Sequence, residues 1–520
     1  MIANLRPTSR LADWITGTGR VPGEAARLRL LLAAWLVVRT VVWTLAVVAS
    51  HHNAPLDLVE WLSWGGSWQW GYPKHPPLPA WLADAASRLS PGDVWGVYLF
   101  SYAVSSGILL AAYRLGREYL SPRRALVATL ALDGLNYLTN DPAEFSNNVM
   151  LGLGWAWLIV CFHRAIGTGQ LRWWLAVGVV AGLTLLCKYT IGVLLLAVLA
   201  FALYDRASRK VWRTPGPYLA ALVAGLIVLP HALWLVQHDF ITLRYAEERA
   251  GSGAGLLKRL VRPFEFLGNQ ALILLPVAFV LWPLMRFRTA PDDAPEAKPL
   301  ATTFLHFAVL GPPLILLTVS AAIGFQLREI WGSPLWTFVG VWALANFPVV
   351  QVIETLQRSL RRWVVVAVGL CLFATAKQVA NPYLFHVGGR TAFPGKELTR
   401  EVNARWAAQY GGLPPIVGGE GWRAGVVCCY SPHRPLLYSS GKMGYLVMEP
   451  EHCRWTGDAD LNARGGVILW DATQLGDDMS DFLRPRFPRV ASQPAIELPY
   501  VTGAVVKPTR VGVAFVPPAK

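Results

Sequence analysis

Apolar stretches long enough to cross a bilayer recur along most of this 520-residue chain. A transmembrane helix needs about 20 predominantly apolar residues. Charged residues form only 15% of the chain, against about 25% in soluble proteins. About eleven windows approach span length: 28–50, 94–113, 122–139, 147–166, 173–187, 190–204, 217–236, 266–285, 303–325, 333–350 and 363–380. The sequence therefore predicts an all-α polytopic membrane protein with about eleven transmembrane helices.

The net charge of +15 follows the predicted topology. With a cytoplasmic N-terminus, the basic residues gather in alternate loops, near residues 6–29, 114–124, 164–172, 206–213, 286–298 and 358–362. An excess of lysine and arginine marks cytoplasmic loops. We therefore predict a multi-pass protein of the bacterial inner membrane and no nucleic-acid partner. The same topology places Asp57, Asp141, Lys188, His238 and the C-terminal tail on the periplasmic side.

The composition changes near residue 385. From there to residue 520 the chain contains glycine pairs, turn prolines and short β-rich runs at 466–470 and 511–515, but no apolar run of span length. Such alternation is typical of a small α/β domain. We predict a membrane domain over residues 1–384 and an extracytoplasmic α/β domain over residues 385–520.

Three cysteines fall in the predicted extracytoplasmic tail, an oxidising location in most organisms. A disulfide from Cys453 to Cys428 or Cys429 is one alternative, and three free thiols are the other. A zinc site is not expected without a histidine cluster at ligand spacing. The sequence predicts no required cofactor and gives no support for a divalent cation.

The first outer loop, residues 57–82, concentrates acids, aromatics and prolines. Asp57 follows the first span and lies beside apolar residues. Its carboxylate could serve as a general base if burial adjusts its pKa. A solvated loop acid is the alternative, and Glu60, one helical turn on, is a competing base. Two prolines after His75 restrict its backbone. The loop tryptophans fit an interfacial belt or a platform for a sugar ring: Trp61, Trp64, Trp68, Trp70 and Trp81.

The second outer loop, residues 140–148, contains two acids and three amides. Asp141 alone could be a helix N-cap. The set as a whole exceeds what a cap requires, and amides commonly bind hydroxyl groups. We therefore take Asp141, Glu144, Asn147 and Asn148 as candidate substrate-binding residues.

Lys188 and Tyr189 interrupt an apolar stretch from Trp173 to Leu203. A lysine there can bind a lipid phosphate as a point charge or extend its amine to the membrane surface. Arg244 and Arg249 follow in a later outer loop, where basic residues are not expected. They fit either anionic head groups or a solvated amphipathic helix.

Five segments in order resemble the integral-membrane GT-C glycosyltransferases of the protein O-mannosyltransferase and aminoarabinose-transferase type. Asp57 stands fourteen residues before a Gly-Tyr-x-x-His-Pro-Pro-Leu segment. The matching segments are 71–78, 143–148, 188–190, 230–238 (Pro230, Trp234 and His238) and 331–336.

This resemblance implies a GT-C fold and inverting transfer of a sugar (mannose, another hexose or an aminopentose) from a polyprenyl-phosphate donor to an acceptor glycan, lipid or protein. Asp57 would be the general base. Lys188, with Arg244 or Arg249, would bind the donor phosphate. The remaining candidates would bind substrate: Glu60, Tyr72, His75, Asp141, Glu144, Asn147, Asn148, Tyr189 and His238.

Two positions depart from the family pattern. Leu58 stands where the family has a glutamate after the catalytic aspartate, and Lys74 stands where an acid often precedes His-Pro-Pro. Both weaken any transfer of acceptor chemistry and any claim for a metal ion. The alternatives are a lipid-linked sugar transporter or flippase, and a sugar-binding relative without catalytic activity.

Overall fold

The computed structural model describes residues 23–251, 255–285, 299–347, 353–438 and 456–519. Basic residues at 6–20 and 286–298 and Cys453 lie outside these ranges. Contacts divide the chain into two compact units. The membrane unit comprises Met1–Trp43, Ser101–Pro142 and Asn147–Phe373, and the loop–tail unit comprises Thr44–Phe100, Ala143–Ser146 and Ala374–Lys520. The tail thus belongs to one unit with the first outer loop.

Helices make up most of the described chain. In chain order the α-helices are α1 (Glu24–Ser50), α2 (Leu56–Gly65), α3 (Leu78–Ser87), α4 (Trp95–Tyr119), α5 (Pro122–Leu130), α6 (Asn136–Thr139), α7 (Asn147–Thr168), α8 (Leu171–Leu185), α9 (Ile191–Tyr204), α10 (Gly216–Gln237), α11 (Ile241–Ala250), α12 (Leu256–Leu281), α13 (Pro299–Val309), α14 (Gly311–Ile323), α15 (Val339–Asn346), α16 (Ile353–Phe385), α17 (Gly395–Tyr410), α18 (Gly421–Tyr430), α19 (Asp458–Arg464), α20 (Ala472–Leu475) and α21 (Ser480–Leu483).

The multi-pass character predicted from the sequence is confirmed. Within the described residues, 7 helical segments are long and apolar enough to cross a membrane: Glu24–Ser50, Trp95–Tyr119, Asn147–Thr168, Gly216–Gln237, Leu257–Leu281, Thr302–Ile323 and Glu354–Phe385. Two predicted short windows form the shorter apolar helices α8 and α9, with Lys188 and Tyr189 in the break between them.

The two remaining predicted windows are not continuous helices. Window 122–139 divides into α5, a 3₁₀ turn (Ala131–Gly134) and α6, with extended backbone at Leu135. Window 333–350 contains only α15 among its described residues. Hydropathy cannot distinguish a membrane span from short buried helices, and most of residues 125–135 are buried within the membrane unit.

A buried ion pair fixes this broken segment. Arg39 on α1 donates from Nε to Oδ1 of Asp133 at 2.6 Å, and the two side chains are 0% and 2% exposed. The indole N–H groups of Trp35 and Trp363 each donate to Oδ2 of Asp133 at 3.0 Å. Arg39 also donates to the Leu138 carbonyl in α6. Asp133 is a charge within a predicted apolar window, and Arg39 is the cation that balances it.

The loop–tail unit contains one sheet, in the order β2-β1-β3-β5-β4. Its strands are β1 (Ile416–Gly419), β2 (Leu436–Tyr438), β3 (Gly466–Asp471), β4 (Ala491–Leu498) and β5 (Thr509–Val516). β1 pairs in parallel with β2 and β3, and β5 is antiparallel to β3 and β4. The continuous apolar run of β3 is typical of a central strand. The predicted small α/β architecture is therefore confirmed.

Candidate functional site

Helix α2 places Asp57 at the edge of the core of the loop–tail unit. The helix starts after Pro55, which has extended backbone, and Asp57 lies in its first turn. A carboxylate is favoured there by the helix dipole. Leu58 and Val59 are fully buried, whereas Asp57 is half-buried. This position combines partial desolvation with access from outside, as a general base requires.

Glu60, the competing base, is ion-paired within the same loop. The Lys74 ammonium donates to Oε1 of Glu60, whose side chain is 8% exposed. Lys74 also lies 5.9 Å from the centre of the Trp64 ring. The lysine that departs from the family pattern thus has a structural partner within this loop. Asp57 stays the predicted base and Glu60 the competing one.

Tyr72 supports the loop from inside. Its ring is fully buried and stacks on Trp64 with centroids 5.3 Å apart. Its backbone N–H donates to the His75 carbonyl at 3.0 Å. Burial raises the pKa of the Tyr72 hydroxyl to about 12. Tyr72 therefore contributes to the packing of the loop, and its role in substrate binding stays a prediction.

The loop tryptophans divide into two groups. Trp61 and Trp64 are buried and pack edge to face at 5.6 Å, so they are neither an interfacial belt nor a sugar platform. The half-buried His75 ring lies 5.3 Å from Trp61. Trp68 and Trp70 are exposed and Trp81 is half-buried, and for these three both interpretations stay open.

In the membrane unit, the fold brings two sequence-predicted residues together. The Lys188 ammonium donates to Oδ1 of Asn148 across 40 residues of sequence. Asn147 and Asn148 are buried in the first turn of α7, and Lys188 lies half-buried between α8 and α9. A cation and two amides therefore lie near one end of the α7 span, a combination suited to phosphate and hydroxyl groups.

Asp141 lies beside this cluster. With Tyr137, Asn148 and Ser333 it lines a cavity of about 10 Å³, room for about one water molecule. Asn136 donates to Oδ1 of Asp141 at 2.9 Å. Burial, and secondly the negative charge of Glu329, raise the pKa of Asp141 from 3.8 to about 7. Asp141 can therefore gain or lose a proton near neutral pH.

A column of rings extends from Tyr189 along α10. The Tyr189 hydroxyl lies 2.7 Å from Nε2 of His231. His231 and Trp234 have ring centroids 6.1 Å apart, and Trp234 stacks on His238 at 4.0 Å. His238 Nδ1 lies 2.8 Å from the Trp234 carbonyl. A carbonyl only accepts, so Nδ1 carries the hydrogen, and Nε2 of a neutral ring is the acceptor.

His231 was not among the candidate residues predicted from the sequence. It lies three residues before Trp234 and seven before His238, a spacing that places all three on one helical face. This spacing is the sequence feature from which His231 could have been predicted.

Arg244 and Arg249 are exposed on α11, and Glu144 is exposed in the 3₁₀ turn Asp141–Glu144. Their roles stay predictions.

Within the described ranges, no group of three or more His, Cys, Asp or Glu side chains is arranged to hold a metal ion. The expectation that the protein requires no cofactor stays a prediction. Cys428 and Cys429 are buried in α18. Because Cys453 lies outside the described residues, the possible disulfide is untested.

Comparison with known proteins places these features in context. The sequence pattern of the family described as "Dolichyl-phosphate-mannose-protein mannosyltransferase" matches residues 74–234. The lipid A galacturonosyltransferase RgtD of Rhizobium johnstonii is 23% identical over 301 residues, which cover 56% of this chain and 60% of RgtD. The lipopolysaccharide core galacturonosyltransferase RgtB of the same organism is 30% identical over 242 residues, covering 43% and 45%. The chain thus matches less than two-thirds of the length of these relatives.

Solved structures match over almost the whole chain. ArnT from Cupriavidus metallidurans bound to undecaprenyl phosphate has a TM-score of 0.62 and 16% identity, covering 94% of this chain and 98% of ArnT. The apo form of ArnT has a TM-score of 0.59 and 14% identity, covering 95% and 98%. The chain therefore has the GT-C fold of ArnT, and its sequence-based resemblance to the GT-C glycosyltransferases is confirmed.

Proposed function

We propose that this protein is a glycosyltransferase that moves a sugar from a polyprenyl-phosphate donor to an acceptor glycan, lipid or protein. The observation that carries the proposal is the ArnT fold, which extends over 94% of the chain and belongs to a protein whose structure contains undecaprenyl phosphate. The relatives matched by sequence are galacturonosyltransferases for lipid A and the lipopolysaccharide core. A uronic acid or another hexose is therefore the sugar, and an envelope glycolipid is the first acceptor to test.

The donor phosphate is assigned to Lys188. Its ammonium binds phosphate as a point charge, and the contact with Asn148 holds it at the end of the α7 span. Donor binding would exchange this amide contact for a stronger, charge-assisted one. Lys188 would then stabilise the negative charge that develops on the leaving polyprenyl phosphate.

Asp57 is assigned the role of general base. In one in-line displacement, Asp57 takes the proton of the acceptor hydroxyl while that oxygen bonds to the anomeric carbon. The bond from this carbon to the donor phosphate oxygen breaks, and polyprenyl phosphate leaves. The anomeric configuration inverts. The reaction balances with donor and acceptor alone, without a redox partner or a metal ion.

The orientation proposed for the protein follows its charge pattern. Basic residues cluster at the end of the spans opposite to Asn147 and Lys188, for example at Arg164 and Arg172. The positive-inside rule assigns that end to the cytoplasm. We infer that the protein resides in the bacterial inner membrane with a cytoplasmic N-terminus, and that transfer takes place on the periplasmic side.

The proposal is tested with purified protein, labelled polyprenyl-phosphate sugars and an envelope glycolipid acceptor. Asp57→Asn should reduce transfer by about 10²–10⁴-fold, the usual contribution of a general base. Asp93→Asn is the matched control, because Asp93 is, like Asp57, a half-buried acid of the same unit, and it pairs with Lys396; it should keep wild-type activity. Equal transfer by Asp57→Asn and wild type would remove Asp57 from catalysis and move the search to Glu60 and Asp141.

A further inference from the structure

A second cavity in the membrane unit lies far from the Lys188 cluster. It has a volume of about 360 Å³ and is bounded by the last turns of α4 and α7 and the first turn of α8. Asn148 begins α7 and Arg164 lies sixteen residues on, so about 24 Å of helix separates them. The cavity and the candidate donor site therefore lie at opposite ends of one span.

The charged lining of this cavity has a positive excess. Arg164 pairs with Glu118 at 2.5 Å, with side chains 42% and 31% exposed. Arg114, one helical turn before Glu118, has no ion pair with any residue in the described part of the chain. One guanidinium is thus neutralised by the protein, whereas the other is available to an external anion.

The lining also contains aromatic side chains. Trp157, near the middle of α7, and Trp173, in the first turn of α8, line the cavity together with His163. The Trp157 indole N–H donates to the Gly107 carbonyl at 3.2 Å, which fixes the ring. The Arg172 guanidinium lies 5.8 Å from the centre of the Trp173 ring. A tryptophan at the end of a span, such as Trp173, is typical of the bilayer interface. The cavity therefore combines basic groups with aromatic rings and has one aromatic residue at the end of a span.

We propose that this cavity binds the phosphate-bearing head group of an anionic phospholipid. Arginine forms paired, charge-assisted hydrogen bonds with phosphate oxygens, and basic residues next to the membrane attract anionic lipids. The volume is within the range of small-molecule sites. In the proposed orientation this end faces the cytoplasmic leaflet, so the site is separate from sugar transfer and does not depend on it.

Native mass spectrometry of the full-length protein in detergent tests the proposal. Phosphatidylglycerol is added to the wild type and to Arg114→Gln and Arg114→Glu, with phosphatidylcholine as the neutral lipid. Arg213→Gln is the matched control, since Arg213 is an exposed arginine at the same membrane end that does not line the cavity. We expect Arg114→Gln to reduce phosphatidylglycerol binding about tenfold, and Arg114→Glu to reduce it further. Arg213→Gln should bind as the wild type does.

Three results would overturn the proposal. The first is equal binding of phosphatidylglycerol and phosphatidylcholine by the wild type. The second is equal phosphatidylglycerol binding by all four proteins. The third is binding of soluble glycerol 3-phosphate as tightly as phosphatidylglycerol, which would assign the cavity to a soluble phosphate compound. Elution of the Arg114 variants at the wild-type volume in size-exclusion chromatography shows that lost binding does not reflect misfolding.

Discussion

The ion pair between Glu60 and Lys74 predicts that Lys74→Met destabilises the loop–tail unit. The Glu60 side chain is 8% exposed and that of Lys74 is 20% exposed. Methionine keeps much of the length of lysine but removes the charge, so the buried carboxyl group of Glu60 would lose this cation in a poorly hydrated position.

The magnitude follows from this burial. Removing one partner of a fully buried pair costs about 3–5 kcal/mol. Because Lys74 is one-fifth exposed, water screens part of the effect, and we expect about 2–3 kcal/mol. Glu60→Gln should cost only about 1 kcal/mol, because the long lysine stem can carry its ammonium to water. The double variant should cost less than the sum of the single changes, since both charges are then absent.

The buried thiols of α18 report this unfolding directly. α2 packs against α18, and the Cys429 thiol lies 3.8 Å from the Val59 carbonyl. Burial raises the pKa of Cys429 to about 12, so the folded protein has almost no reactive thiolate there. In a variant whose cysteines outside α18 are replaced by alanine, a thiol-reactive dye reacts only with the thiols of α18. The extent of this reaction across a denaturant titration gives the free energy of unfolding of this unit.

An exposed ion pair of the same unit is the control. Lys396 pairs with Asp93, and their side chains are 43% and 37% exposed. Lys396→Met should therefore cost no more than about 1 kcal/mol. The reasoning is refuted if Lys74→Met costs no more than Lys396→Met, or if the cost of the double variant equals the sum of the single costs.

Three further predictions concern the membrane unit. Because the pKa of Asp141 is raised from 3.8 to about 7, the native carboxyl retains a proton that the unfolded one loses, and the unfolding free energy falls as the pH rises through this window. Asp141→Asn should remove that fall in denaturant titrations, and an unchanged pH profile would contradict the assignment. Lys188→Gln should weaken binding of a polyprenyl-phosphate sugar about 10–100-fold, whereas Lys210→Gln, in an exposed turn, should not; equal dissociation constants would remove Lys188 from the donor site. Arg39→Met should destabilise the unit by about 3–5 kcal/mol, with partial recovery when Asp133→Asn is added; an unchanged unfolding midpoint would show that the pair is dispensable.

The sequence predicted those parts of the fold that follow from local composition. The break at Lys188 was visible because a charge interrupts an apolar run, and β3 and β5 were visible as short β-rich runs. The break at Asp133 was not predicted. This break depends on Arg39, 94 residues away. A charge inside the membrane is tolerated when it is paired, and a hydropathy window around Asp133 does not include its partner.

The candidate site was predictable to a similar extent. Motif spacing singled out Asp57 and Lys188. It did not show that Lys74 neutralises Glu60 or that Tyr189 contacts His231, since these contacts join residues that are 14 and 42 positions apart. Contacts of this kind are determined by the tertiary fold and cannot be read from the spacing of motifs.

The most direct test of the proposed function follows both sugar and lipid in one reaction. Wild-type protein in proteoliposomes is supplied with a polyprenyl-phosphate sugar and a glycolipid acceptor, and all lipids are then analysed by mass spectrometry. Transfer predicts that the donor becomes polyprenyl phosphate while the acceptor gains the mass of one sugar residue. Intact donor that has moved to the opposite leaflet would instead identify a transporter, and intact donor that is bound but unmoved would identify a relative without catalytic activity.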